Sequence, residues 1–157
     1  MLIACRFTAS LFSFRPIERG HMDKSEIVAS IACCGLVCKL CHLADKCDGC
    51  KNTACGCGNH SDHWGGCYHR KCCIDKGLAG CWECGDFPCG REMFDTATHD
   101  VKIRACVRCI KEDGPERFVE YVLRNENKGI RYGFRKDYDF LDSEDRVLRL
   151  LRTGKKN

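Results

Sequence analysis

Cys34-Gly35-Leu36-Val37-Cys38-Lys39-Leu40-Cys41, followed by Cys47-Asp48-Gly49-Cys50, is the stretch that decides the character of this fold. It holds two Cys-x2-Cys pairs, Cys38 with Cys41 and Cys47 with Cys50. A tight turn between two cysteines lets both sulfurs aim at one ion about 2.3 Å away, which is a metal knuckle. Gly49 sits inside the second turn. The gap between the pairs is shorter than usual zinc-ribbon spacing, so the two knuckles either complete one tetrahedral site or serve different ones. Downstream, Cys67-x4-Cys72 and Cys81-x2-Cys84-x4-Cys89 supply five more thiols.

Fourteen of the 17 cysteines lie between Cys33 and Cys89, in a region of glycine-containing turns with almost no helical or strand period. Inert buried thiols have no reason to gather in such loops, whereas metal ligands do. The odd cysteine count, the adjacent pairs Cys33-Cys34 and Cys72-Cys73, and the lack of a credible export signal argue against a secreted disulfide scaffold. Reduced thiols in a cytoplasmic protein are the expectation. Within the same region, Cys55, Cys57, His60, His63 and His69 could each replace a sulfur, although each histidine taken singly reads as a solvated loop residue.

With 157 residues, the chain has room for one compact domain and an appendage, not for a complete barrel enzyme. Its hydrophobic fraction of 44% counts cysteine, so the aliphatic and aromatic core is modest and metal is expected to help hold the fold. No run approaches the roughly 20 apolar residues that span a bilayer. The opening stretch Met1 to Phe14 is interrupted by Arg6 and has no basic start. Leu2 to Cys5 imitates a lipoprotein box but has no apolar segment before it. Glu18-Arg19-Gly20-His21 immediately before Met22 reads like a translated ribosome-binding site. Residues 1–21 are therefore expected to be a non-native or disordered leader, with the native start at Met22.

The net charge of +4 is weak grounds for a nucleic-acid partner. Each zinc held by four thiolates adds a local charge of −2, and two such sites bring the total to zero. Arg131-Tyr132-Gly133-Phe134-Arg135-Lys136 interleaves bases with aromatics, but Asp137, Asp139 and Asp142 follow at once and would repel a phosphate backbone. It reads as a short strand with one packed face.

Residues 99–157 change character. Val101, Ala105, Cys106, Cys109 and Ile110 recur at helical spacing, which favours core packing over metal binding for Cys106 and Cys109. Gly114-Pro115 marks a stop and a restart, and the second helix presents Phe118, Tyr121, Val122 and Asn125. Ile130, Tyr132 and Phe134 alternate as in a short strand or an extended segment. Ser143 with Glu144 and Asp145 reads as a helix start leading to Val147, Leu148, Leu150 and Leu151. The expected architecture is a small metal-stabilised fold, mainly α with irregular Cys-rich loops and little β. A Cys-rich metal-binding region over 22–98 carries a helical part over 99–157 packed on it, with Phe118, Tyr121, Val122, Leu148 and Leu151 buried.

The spacing Cys34-x3-Cys38-x2-Cys41 matches the one by which radical S-adenosylmethionine enzymes bind a four-iron cluster. The strand and helix repeats of their partial barrel are missing here. Taken together, Cys34 to Cys41, Cys47 to Cys50, Cys67 to Cys72 and Cys81-Trp82-Glu83-Cys84-Gly85-Asp86-Phe87-Pro88-Cys89 resemble the cysteine-rich prokaryotic family called domain of unknown function 3795. The resemblance covers roughly residues 30–95. It implies metal binding, with zinc as the presumed ion, and no assigned reaction. The family pattern falls on Cys34, Cys38, Cys41, Cys47, Cys50, Cys67, Cys72, Cys81, Cys84 and Cys89, leaving Cys33, Cys55, Cys57, Cys73, Cys106 and Cys109 additional to it.

Three functions fit these residues. The first is structural zinc in a binding or adaptor module that contacts another protein through the loops around Trp82 and Phe87. The second is an iron–sulfur redox protein. The third is a thiol-dependent enzyme using Cys72 or Cys73 beside Arg70 and Lys71, whose charges would favour a thiolate. The sulfur-rich pattern favours the first, because closed tetrathiolate sites leave no open position for catalytic water.

Overall fold

The computed structural model describes residues 23–45, 47, 49–51, 67–95 and 101–156. The expected leader, Met22, Cys55, Cys57, His60 and His63 lie outside them. Among the described residues the chain is mainly helical and contains no strand. No helix among them is long and apolar enough to cross a membrane.

Five helices carry the fold: α1 Lys24–Ala29, α2 Tyr68–Asp75, α3 Val101–Asp113, α4 Pro115–Asn127 and α5 Glu144–Thr153. Their ends follow local chemistry. The Asp23 side chain accepts the Ser25 amide at the start of α1, and Ser143 Oγ accepts the Arg146 amide at the start of α5. Pro115, lacking a backbone donor, opens α4 directly after Gly114. Among the described residues, short 3₁₀ turns lie at Cys38–Leu40, Cys81–Glu83 and Glu92–Phe94.

Two cores result. The larger is aliphatic and aromatic: α3, α4 and α5 pack on one another, α1 lies on α4, and Ile27, Ile31, Val37, Phe118, Val122, Leu148 and Leu151 are among its buried side chains. Cys106 and Cys109 are fully buried in it, and burial pushes the Cys106 thiol up to about 11, so both act as small apolar residues. Of the five residues expected inside, only Tyr121 is half-exposed. Its ring is covered in part by the Arg124 guanidinium, 5.2 Å from the centroid. The second core contains Ala32, Cys33, Cys34, Cys50, Cys73, Cys81, Phe94, Ile103 and Val107. Helix α3 serves both. Because Ile27, Ile31 and Val37 join the C-terminal helices, the N-terminal and C-terminal portions share one interior.

Of the two alternatives for Ile130 to Phe134, a short strand or an extended segment, the strand does not form. Ile130 and Tyr132 are buried, but Phe134 turns outward and no neighbouring strand pairs with the segment. Its amides find carboxylates instead: Arg131 N donates to Asp137 Oδ2 and Tyr132 N to Glu126 Oε1, both at 2.6 Å. Buried Lys102 gathers the rest. Its ammonium bonds Asp139 at 2.9 Å and the Tyr132 carbonyl at 2.6 Å, and it lies 4.6 Å from the Tyr132 ring centroid.

Asn125 fastens α4 to the end of α5. It is fully buried, and Nδ2 lies 2.8 Å from Tyr138 Oη, 2.9 Å from the Leu150 carbonyl and 3.0 Å from the Leu151 carbonyl. Asn125→Ala removes all three bonds, while the Leu150 and Leu151 carbonyls keep the Gly154 amide and the Arg124 guanidinium, and is expected to cost about 2 kcal/mol, measured as a lower urea midpoint with unchanged slope. An unchanged midpoint would mean that the amide contributes nothing to the fold.

Candidate metal centre

The turn at residues 32–36 gives adjacent cysteines different sulfur partners. Ile31 and Val37 form a bridge, Ala32 N donates to Leu36 O at 2.7 Å, and Gly35 N donates to Ala32 O at 2.9 Å. Gly35 adopts φ +84 and lies against Val107 of α3, where a Cβ would come within 2.8 Å of Val107 Cγ2. Only glycine combines that backbone conformation with that approach. Cys34 then lies near the first group of thiols and within electrostatic reach of Cys81 in the second, while Cys33 bonds Cys73.

In the first group, Cys34 stands within electrostatic reach of Cys38, Cys50 and Cys67. Cys50 N donates to Cys38 Sγ at 3.4 Å, and Cys50 shares a hydrogen bond with Cys67. Cys41 and Cys47 approach from the Cys38 side. Four separate pieces of chain thus contribute. Burial raises the Cys34 and Cys38 thiols. The Cys67 thiol is raised first by its bond with Cys50 and then by burial, against the Arg70 and His69 amides at the start of α2. Buried thiols crowded together resist ionisation unless a cation compensates them.

In the second group, Cys72, Cys73, Cys81, Cys84 and Cys89 line a cavity of about 50 Å³. Cys73 Sγ and Cys81 Sγ are 3.8 Å apart, and Cys33 lies on the same side, hydrogen-bonded to Cys73. Burial, then the neighbouring Cys73, raises the Cys81 thiol. Lys76 Nζ approaches Cys84 Sγ at 3.6 Å and pairs with Asp86 at 2.8 Å. Lys76, rather than Arg70 or Lys71, is thus the cation seen on a thiol.

His69 corrects the expectation of a solvated loop residue. It is 1% exposed, on α2, with its ring 4.2 Å from that of Phe94. Nε2 accepts the Met93 amide at 3.2 Å, which leaves the ring proton on Nδ1, 3.6 Å from Cys81 Sγ. A histidine bonded this way is placed to donate to a thiolate rather than to ligate an ion, the arrangement of an outer-shell donor.

Beside thiols that the family resemblance implies, the structure sets Cys33 and Cys73, together with His69, which the sequence already offers as a possible ligand. The signals for the two cysteines were the doublets. Neighbouring residues on helix α2 point about 100° apart, so Cys72 faces the cavity mouth while Cys73 is buried. Trp82 and Phe87 each make contacts within the fold. Trp82 packs against both cores, with Lys51 Nζ 5.6 Å from its ring centroid, and Phe87 meets Phe94 edge-on at 5.1 Å. Both remain half-buried, and among the described residues the large apolar side chains that stand exposed are Leu43, Tyr68, Ile74, Phe134 and Phe140.

All fourteen cysteines of the described residues are free thiols. Among those residues, no set of three or more His, Cys, Asp or Glu side chains is drawn tightly enough to enclose an ion as it stands. The donor chemistry nonetheless suits a soft-ligand metal. The separation of Cys73 and Cys81 equals the edge of a tetrathiolate tetrahedron, about 3.8 Å for bonds of about 2.3 Å. Comparison with protein-family models, curated proteins and solved structures finds no match to this chain.

Proposed function

We propose that this protein is a metal-binding module in which structural zinc is held by its cysteine groups, in a reduced cytoplasmic setting. The observation that carries the reading is the second group: five cysteines line one cavity of about 50 Å³. That volume is far below the roughly 300–1,000 Å³ of an organic ligand pocket but suits an ion. The proposed ligands there are drawn from Cys72, Cys81, Cys84 and Cys89, with Cys73 as a competitor for one position. Cys34, Cys38, Cys50 and Cys67, with Cys41 and Cys47 beside them, form the proposed second site.

Zinc surrounded by four thiolates is a poor Lewis acid because the ligands donate so much charge, so the role fitting these sites is to fix a surface rather than to catalyse. The partner in this reading is another protein, met through the loops around Trp82 and Phe87, both half-buried.

Elemental analysis of anaerobically purified full-length protein tests the proposal. At least two zinc ions per chain are expected, in a colourless protein. Stoichiometric iron with acid-labile sulfide and absorbance near ~400 nm would replace this reading with an iron–sulfur protein. A metal-free protein with full helical content would end both.

A further inference from the structure

A cleft of about 190 Å³ lies on the opposite chemistry from the sulfur groups, between α5, the 137–141 loop and the C-terminal tail. Gly154 ends α5 in the left-handed conformation, φ 63, and its amide bonds the Leu150 carbonyl. The chain then brings Lys155 and Lys156 to the cleft beside Arg146 and Arg149. Two of these four cations are paired. Arg146 Nη1 lies 3.1 Å from both oxygens of Asp142, and Lys156 Nζ lies 2.7 Å from Asp137 Oδ1. The other oxygen of Asp137 accepts the Arg131 amide, so this carboxylate is fully engaged.

Arg149 and Lys155 have no carboxylate partner among the described residues, although both line the cleft. These two exposed cations, unpaired among the described residues, give one concavity a local charge of +2 that an anion can match. Leu141 and Leu150 add an apolar part to its lining. A carboxylate would meet half of that charge; a phosphoryl dianion meets all of it and offers oxygens for both side chains. We propose that this cleft binds a phosphoryl dianion between Arg149 and Lys155, with Leu141 and Leu150 against the carbon portion when the ligand is an ester. The proposal does not depend on the metal reading, because none of these residues touches a cysteine group.

The test is a ¹⁵N-amide chemical-shift titration of the full-length protein as purified, at constant ionic strength, with sodium phosphate, glycerol 3-phosphate and sodium chloride in separate arms. Saturable one-to-one shifts confined to residues 137–156 are expected with phosphate or the ester. Affinity should fall about tenfold or more in the double variant Arg149→Gln/Lys155→Gln and stay unchanged in Arg117→Gln, an exposed cation of α4. Tighter binding of the ester assigns the carbon portion to the leucines, and equal affinity assigns free phosphate as the ligand; both support the site. Linear shifts that chloride reproduces, or affinity untouched by the double variant, would overturn it. Both replaced side chains are exposed, so the fold should survive, and the variant's unchanged amide spectrum away from the cleft checks this.

Discussion

Gly35→Ala is expected to lower the unfolding free energy by about 3 kcal/mol, a large part of the 5–15 kcal/mol typical of a domain. Two penalties add. At φ +84 an L-residue meets its own carbonyl, a cost of roughly 1–2 kcal/mol. The added methyl would also stand 2.8 Å from Val107 Cγ2 and 3.2 Å from Val107 N, and neither can retreat, because Val107 is fully buried in α3. Gly77→Ala separates the two effects. Gly77 has a similar φ of +66 but nothing within 4 Å of the added carbon, so only the conformational cost of about 1 kcal/mol should appear. Urea denaturation of both variants decides the matter. Equal losses would show that α3 shifts to admit the methyl, and that the turn carrying Cys33 and Cys34 is less tightly held than its contacts indicate.

The helical portion was legible because its physics is local. Leucine, valine and isoleucine at period 3.6, a Gly-Pro break and a serine cap are each sufficient signals, and α3, α4 and α5 follow them closely. Helix α2 was not legible. Its buried positions are His69 and Cys73, one turn apart, while its only aliphatic residue, Ile74, is 62% exposed. A reading that weighs hydrophobic period sees nothing there, because the face turned inward is made of sulfur and imidazole. The 130–142 segment was legible only in part for the opposite reason. Its alternating pattern is real at Ile130 and Tyr132, but the ion pair of Lys102 with Asp139 bends the chain back before a ladder can form. Cysteine spacing carried the candidate site only as far as its membership. Which sulfur meets which depends on the fold, and the doublets show why: Cys33 and Cys34 are neighbours in sequence, yet Cys33 bonds Cys73 while Cys34 lies near Cys38, Cys50 and Cys67.

On the zinc reading proposed above, chelation is expected to remove hydrogen-exchange protection from residues 38–45, 49–51 and 67–95 and to leave α3, α4 and α5 protected. The two cores differ in what holds them. The larger has 17 buried residues, of which only Cys106 and Cys109 are cysteines, and the burial of its aliphatic and aromatic side chains persists without any ion. Among the described residues the smaller has nine, five of them cysteines, and in the proposed reading its thiols gain little from packing without a cation. Apparent binding energies of structural zinc in small domains are about 10–16 kcal/mol, so losing the ion would exceed any local stability this second core can have. Unfolding should therefore be regional, with far-UV helical signal reduced by α2 rather than abolished. Exchange measured by mass spectrometry on the metal-loaded and chelated protein resolves the two regions. Loss of protection throughout would mean that the shared helix α3 couples both cores into one cooperative unit. Retained protection at 67–95 would mean that the cysteine core stands without metal, and the proposal of structural zinc would fall with it.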